Sequence, residues 1–349
     1  MPRTEHWLQI ENRVWDVVPN GIDRATGERF ARGANGLFRP LGQDALIIRR
    51  YTANWATPDD RVLNAWDLNE PDPAQTRGTI PGATLEQKVG DEIIVHFRNA
   101  DMRAGVPDAE RVHSLHAHGV QCAAMYDGAY PTSPPDPSQN NKQGDRVAPG
   151  ESFDYRYTIM HASNAGVWFY HDASLASQKS IALGAFGAIV VRAGGEGKAG
   201  LPPSPLRQSS DTPTHFANVA APPASGDHLF VFHELAGVGE CLNGRQLLGN
   251  TPTVLARVNT RVKFRVLNLT ARAQVFHLHG HRWRAGDDWV DTASVASGAG
   301  MTFEWLEGTA ENGGGLGEWL ITNHNSNMTQ GSLVVTEGHA LTLAVGALG

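Results

Sequence analysis

The sequence predicts an all-β protein of two Greek-key β-sandwich domains, and three observations carry that prediction. A chain of 349 residues exceeds one small core and suits two domains of ordinary size. Its 38 Gly and 20 Pro punctuate many short Val/Ile/Thr-rich runs, the pattern of strands joined by turns. The chain also repeats itself. Val89-Gly90-Asp91-Glu92-Ile93-Ile94-Val95-His96-Phe97-Arg98-Asn99 is echoed by Val258-Asn259-Thr260-Arg261-Val262-Lys263-Phe264-Arg265-Val266-Leu267-Asn268. Each copy is followed by a His-x-His strand, His116/His118 in the first half and His277/His279 in the second, so one β-sandwich unit occurs twice.

Taken in order, residues 1–44 carry Gly, Arg and Asn with no clear period and read as an N-terminal extension wrapped on the first domain. The first domain, 45–195, opens on the strand-like run from Ala45 to Thr52. It continues through Leu85 to Asn99, broken by a Val-Gly-Asp turn, and shows further strands at Phe153–Ile159 and Ala185–Arg192. Residues 196–226 are rich in Gly, Pro, Ser and Ala and read as a linker. The second domain, 227–349, has strands at His228–His233, Val254–Val258, Arg261–Leu267, Gln274–His281, Met301–Trp305, Trp319–Thr322 and Ser332–Val335.

A formal net charge of -7 argues against nucleic acid as a partner. No apolar run approaches the ~18 residues of a membrane span. The first residues lack the apolar core of a signal peptide, so a cytoplasmic protein is expected, the alternative being an exported form whose leader is removed. The 2 cysteines, Cys122 and Cys241, lie far apart, and their spacing gives a disulfide no support; two thiols are expected. The 15 histidines are clustered in a way that scattered surface residues are not, which points to metal. Side chains at i and i+2 on a strand share a face, so each His-x-His pair can present two imidazoles to one cavity.

Four blocks carry a family resemblance: Leu115-His116-Ala117-His118-Gly119, Trp168-Phe169-Tyr170-His171-Asp172-Ala173, Phe276-His277-Leu278-His279-Gly280-His281 and Trp319-Leu320-Ile321-Thr322-Asn323-His324. With the Gly78–Thr84 turn, they resemble the copper-ligand blocks of the multicopper oxidases. The architecture is similar to that of the two-domain small laccases and the copper nitrite reductases. The resemblance implies two cupredoxin-like domains, a homotrimer, and copper held between one subunit's first domain and the next subunit's second.

It also implies roles, position by position. The type 2 copper would take His116 and His277. One type 3 copper would take His118, His171 and His324, a complete shell. The other would keep His279 and lose two ligands, at Ala173 and Thr322. The type 1 copper would be lost, with Asn323 at its cysteine position, Gln274 at its first histidine position and Met328 at its second. A gap falls between residues 322 and 331. A different placement would put His324 at the type 1 histidine position; the Trp319-Leu320 anchor favours the type 3 assignment. Asp127-Gly128 resembles the family's proton-relaying Asp-Gly, while a plain turn explains it equally well. Asp172 could orient an imidazole. His281, His113, His161 and His233 read as hydrogen-bonded structural residues.

Without a type 1 cysteine, electrons have no Cys-His entry route, and substrate must meet the copper directly. The expectation is a copper-dependent oxidoreductase acting on a small molecule together with dioxygen, with His116, His277 and Asp127 as acid–base candidates. A nitrite-reductase-like activity with an external donor and a non-catalytic copper-binding role are the alternatives. Three histidines would also suit zinc.

Overall fold

The structure is a computed structural model that describes residues 2–59, 79–129, 144–194, 215–219, 225–337 and 341–345, with 215–219, 225 and 341–345 by backbone alone. It is built almost wholly of strands; the one α-helix among the described residues is the short Ser177–Ile181. Among the same residues, no helix is long and apolar enough to cross a membrane. The described residues divide into two compact units, one of residues 2–15, 42–59, 79–129 and 144–194, the other of 16–41, 215–219, 225–337 and 341–345.

The units share one topology, as the sequence repeat requires. In the first, one sheet runs in the order Ala45–Tyr51, Arg3–Arg13, Glu92–Ala100, Ser152–Thr158, and the other in the order Leu85–Lys88, Phe186–Arg192, Gly166–His171, His116–Ala117. In the second, the matching sheets are Gly239–Leu242, Ser225–Leu235, Arg261–Asn268, Gly300–Leu306 and Thr253–Arg257, Ser326–Thr336, Gly317–Asn323, Gln274–Leu278, with Thr292–Val295 added at the edge. Even strand directions match: Arg3–Arg13 runs parallel to Glu92–Ala100, as Ser225–Leu235 does to Arg261–Asn268.

This equivalence corrects the reading of residues 1–44. Arg3–Arg13 is an inner strand of its sheet, paired on both sides, and the first strand of the repeat. Its period was hidden because only Leu8 and Ile10 mark the apolar face, while Gln9 and Glu11 on the other face are buried too. Glu11 is held there by Gln9 at 2.6 Å, Tyr51 at 2.8 Å and Arg13 at 2.8 Å, which supplies the partners that a buried charge requires. Residues 16–41 belong instead to the second unit, where Asn20 Nδ2 donates to Gly249 O (2.6 Å) and Arg245 Nη1 to Asp16 O (2.7 Å).

Most of the stretch read as a linker, 196–214 and 220–224, lies outside the described residues. Between them His215–Val219 forms a strand paired with Leu341–Val345. No disulfide joins Cys122 and Cys241.

Each sandwich places its histidines by strand alternation. In the second unit, Phe276 and Leu278 enter a core shared by both sheets with Phe230, Phe264, Trp283, Phe303, Ile321 and Leu333. His277 and His279 therefore face outward. Leu115 and Ala117 play the inward part beside His116 and His118.

Candidate metal centre

In the first unit, His116 and His171 are directly opposite each other on adjacent antiparallel strands, so their side chains share a face. His118, two residues on, continues the pairing through its N–H to Phe169 O. The three rings lie 4.8, 5.5 and 5.3 Å apart. One nitrogen from each falls within 4.8 Å of the others, and His118 Nε2 and His171 Nε2 are 3.2 Å apart.

The backbone around this trio is held firmly although the His116–Ala117 ladder is only two residues long. Tyr155 Oη accepts Leu115 N–H at 3.0 Å and Tyr157 Oη donates to Leu115 O at 3.1 Å, so both polar groups of the preceding residue are fixed. Gly119 has φ +73°, and a Cβ there would fall 2.2 Å from the Trp168 ring; Gly280 has φ +70° and meets Trp319 in the same way. The Gly of each His-x-His-Gly block is required by a tryptophan packed over the turn.

The chemistry of the donors suits copper. His116 Nδ1 donates to Asp127 O (2.7 Å) and His171 Nδ1 to Asp172 O (2.7 Å). Each carbonyl fixes the tautomer that leaves Nε2 with its lone pair for a metal. Burial, reinforced by His116 and His171, pushes His118 down to about 4. Burial lowers His171 as well, partly offset by its bond to Asp172 and reinforced by His116. Neutral imidazoles are the form that binds metal.

The second unit carries another trio. His277 and His279 are 4.7 Å apart, and His277 and His324 5.4 Å. Here the residue opposite His277 is Thr322, so the third imidazole comes from two positions further on, past a bulge between Ile321 and Asn323. His277 Nδ1 donates to Asp291 O at 2.7 Å, as His116 does to Asp127. Burial, then His277 and His324, lowers His279. A recess of about 490 Å³ is lined by Gly280, His281, Arg282, Trp289, Asp291 and Asn312. Thus His116, His118 and His171 are brought together in one unit, and His277, His279 and His324 in the other.

The positions matched to the type 1 copper form a closed polar network. Asn323 Nδ2 donates to Gln274 Oε1 (2.7 Å) and Thr329 Oγ1 (2.9 Å). Gln274 Nε2 donates to Thr270 Oγ1 (2.8 Å) and Glu240 Oε1 (3.0 Å). Gln274, Asn323, Thr270 and Thr329 are all buried, whereas Met328 is exposed on the strand beyond. Neutral side chains already satisfy one another here, and no thiol takes part: Cys241 Sγ pairs with Gly239 O.

Asp127 is more than a plain turn residue. Its carbonyl holds His116, and its carboxylate Oδ1 lies 3.4 Å from the same nitrogen. Gly128, at φ +75°, permits that approach, since a Cβ would fall 2.2 Å from Leu115 O. Asp172 orients His171 through its main-chain oxygen, while its carboxylate turns inward to His113. His281 is buried, donating Nδ1–H to His279 O (2.8 Å) and facing Glu307 Oε2 (2.9 Å). His233 Nε2 accepts Gly244 N–H (2.8 Å) and is structural.

Asp291, Glu307 and Asp101 escaped the sequence reading. Asp291 lies 14 residues after His277, whereas Asp127 lies 11 after His116, so the spacing within the repeat does not point to it.

Known proteins resemble the chain in part of its sequence and in its fold. Residues 70–196 match the multicopper oxidase model Cu-oxidase_3. The chain is 26% identical over 269 residues to the "Probable nitrite reductase-hydroxylamine oxidoreductase fusion protein" of Kuenenia stuttgartiensis, covering 74% of this chain and 28% of that one. It is 27% identical over 202 residues to the ferroxidase HEPHL1 of Homo sapiens, covering 53% of this chain and 15% of that one. The fold superposes on a copper nitrite reductase from Nitrosomonas europaea with a TM-score of 0.58 at 14% identity, over 98% of this chain and 97% of that one.

Residues 70–196 thus match a multicopper oxidase domain.

The fold is cupredoxin-like, and the carbonyl-oriented imidazoles are donors that suit copper. The chain spans less than a third of the length of either curated relative.

Proposed function

We propose that this protein is a copper-dependent oxidoreductase acting on a small molecule, with dioxygen, at an all-histidine, non-blue copper site. The observation that carries the reading is the convergence of His116, His118 and His171, whose ligand nitrogens lie within 4.8 Å of one another without a thiolate. Three neutral donors leave an open position, which is what a catalytic site needs and a structural one closes. Copper held by these three imidazoles would supply one-electron redox chemistry and Lewis acidity.

The residues around it do the rest. The Asp127 and Asp172 carbonyls hold two of the rings in the ligand tautomer. The Asp127 carboxylate, half exposed beside His116, is the acid–base group for a proton at bound substrate. Because Gln274 and Asn323 fill the blue-copper position, electrons come from the substrate itself and not through a Cys-His bridge. A homotrimer belongs to the same proposal. It rests on the resemblance to the family's ligand order.

Similarity to a protein named as a nitrite reductase fusion favours a second reading, reduction of nitrite with an external donor. Copper-loaded protein would be assayed aerobically against a panel of phenolic, aminophenolic and amine donors, and anaerobically with nitrite and a chemical reductant. Oxygen uptake with a donor supports the first reading; nitric oxide supports the second. Stoichiometric copper with neither activity would favour a non-catalytic copper-binding protein and overturn both.

A further inference from the structure

Behind each histidine trio lies a buried polar triad, and the two triads occupy the same positions of the repeat. In the second unit it is Thr270–Gln274–Asn323, joined at 2.8 and 2.7 Å. In the first it is Asp101–His113–Asp172, joined at 2.9 and 2.7 Å. Register fixes the correspondence. His113 and Gln274 each stand three residues before the first histidine of a pair. Asp172 and Asn323 each follow the residue directly opposite that histidine. Asp101 and Thr270 each receive the same turn, their N–H groups donating to Asn99 Oδ1 (3.0 Å) and Asn268 Oδ1 (2.9 Å).

One triad is neutral and the other charged. In the charged one, Arg103 grips Asp101 in a fork, with Nη2 2.7 Å from Oδ2. Burial would neutralise these groups, but the ion-paired hydrogen bonds outweigh it. His113 is held above its ordinary range by Asp101 and Asp172, and Asp101 well below the carboxylate range by His113 and Arg103. Burying three formal charges, with the half-buried Arg103 beside them, is costly, and a neutral solution to the same packing problem exists in the same molecule.

The difference lies in what each triad adjoins. Asp172 directly follows the ligand His171, whereas Asn323 follows Thr322, which is no ligand. The Asp172 carboxylate accepts from His113 Nδ1, from Ser114 N–H and Ser174 N–H (both 2.9 Å) and from Ser180 Oγ (2.6 Å). Its main-chain N–H donates to Ala185 O. Residue 172 is thus immobilised on every side except at its carbonyl, which receives His171 Nδ1–H at 2.7 Å.

We infer that Asp101, His113 and Asp172 form a positioning device for the copper site, locking the Asp172 carbonyl so that His171 presents Nε2 in one tautomer and one orientation. The inference rests on the reading of His171 as a copper ligand. Outer partners of metal-binding histidines are worth roughly 10–100-fold in metal affinity. None of the three residues need touch the metal.

The second unit supplies the test. Asp101→Thr, His113→Gln and Asp172→Asn together install the neutral triad in the first unit, and His113→Gln alone removes only the central imidazole. Cu(II) affinity is measured by chelator competition, with the copper hyperfine pattern by electron paramagnetic resonance and the melting temperature as a check on folding. The expected result is a folded triple variant with copper affinity about 10–100-fold weaker and an altered hyperfine pattern. Wild-type affinity and spectrum in a folded variant would overturn the inference.

His171→Ala is run beside it. If it keeps wild-type copper, the ligand reading fails; if it loses copper while the triad variants do not, only the positioning role fails. Nitrogen-15 NMR of the metal-free wild-type protein does not depend on any variant folding. It should show His171 protonated at Nδ1 alone, and a mixture of tautomers would overturn the inference by itself.

Discussion

The two units solve the same packing problem with opposite chemistry. Both have a His-x-His strand whose first imidazole donates Nδ1–H to an aspartate carbonyl, at Asp127 or Asp291, and both hide a polar triad behind it. The first unit takes its third histidine from the position opposite the pair, His171, and charges its triad. The second takes it from two residues later, His324, and leaves its triad neutral. One fold therefore accommodates two placements of the third imidazole, provided that the buried groups behind it satisfy their neighbours. Gln274 and Asn323 do so through their mutual hydrogen bond, at the positions that the family resemblance matches to the blue copper.

The largest effect should come from the ligands. Removing His118 or His171 should cost copper affinity more than the roughly 10–100-fold attached to outer partners, and abolish activity, as read by chelator competition. Truncation of an outward-facing ring such as His277 should leave the first unit's copper in place if that trio binds alone. If the loss is equal for ligands of both units, the trios bind copper as one site.

Next comes Gly128→Ala, which sets a Cβ against Leu115 O at a backbone angle that side chains avoid. It should destabilise by about 1–3 kcal/mol in denaturant unfolding and loosen His116. The second unit has Thr292 after its aspartate, so the requirement is confined to the first. A comparable loss, on the order of 1–3 kcal/mol, is expected for Asn323→Ala, which strands the buried Gln274 carbonyl oxygen. Copper bound by the first unit should be untouched, whereas a matching loss of copper would tie the two positions together.

The smallest effect is one of pH. The His118 value of about 4 lies below the ordinary imidazole range of about 6.5, so between these values the unfolded chain binds a proton that the folded one does not. Stability of the metal-free protein is therefore complete above about pH 6.5 and falls as pH drops toward 4. His113 acts in the other direction: its stabilisation is present at low pH and lost as pH rises through its elevated value. His118→Gln should reduce the fall in urea midpoint between pH 7 and pH 5; an unchanged slope would place the pH dependence elsewhere.

Much of this was legible in the chain. The repeated Asn99 and Asn268 segments, the His-x-His pairs and the strand alternation are local signals, and they led to the sandwich folds and to His116, His118, His277 and His279; His171 and His324 came from the family resemblance, which grouped them with His118 in one shell and not in the two trios. Three things were not legible, for physical reasons. The strand Arg3–Arg13 is buried on both faces with polar residues on one, so it shows no clean alternation. Asp291 holds His277 through its main-chain oxygen at 2.7 Å, with its carboxylate 4.0 Å from the same nitrogen, and a carbonyl has no residue signature. The Asp101–His113–Asp172 triad joins residues 59 apart that no spacing rule connects. The grouping of Gln274 with Asn323 was implied by the family's ligand order, and the network between them supplies the physical content.

The central claim is that the first unit holds copper through imidazoles alone while the second has closed its blue site. Electron paramagnetic resonance and visible absorption on copper-loaded protein, with total copper counted, test it most directly. The account predicts bound copper with a non-blue Cu(II) signal that His171→Ala removes or alters, and no intense thiolate-to-copper band. An intense blue band, or copper that His171→Ala leaves unchanged, would contradict it.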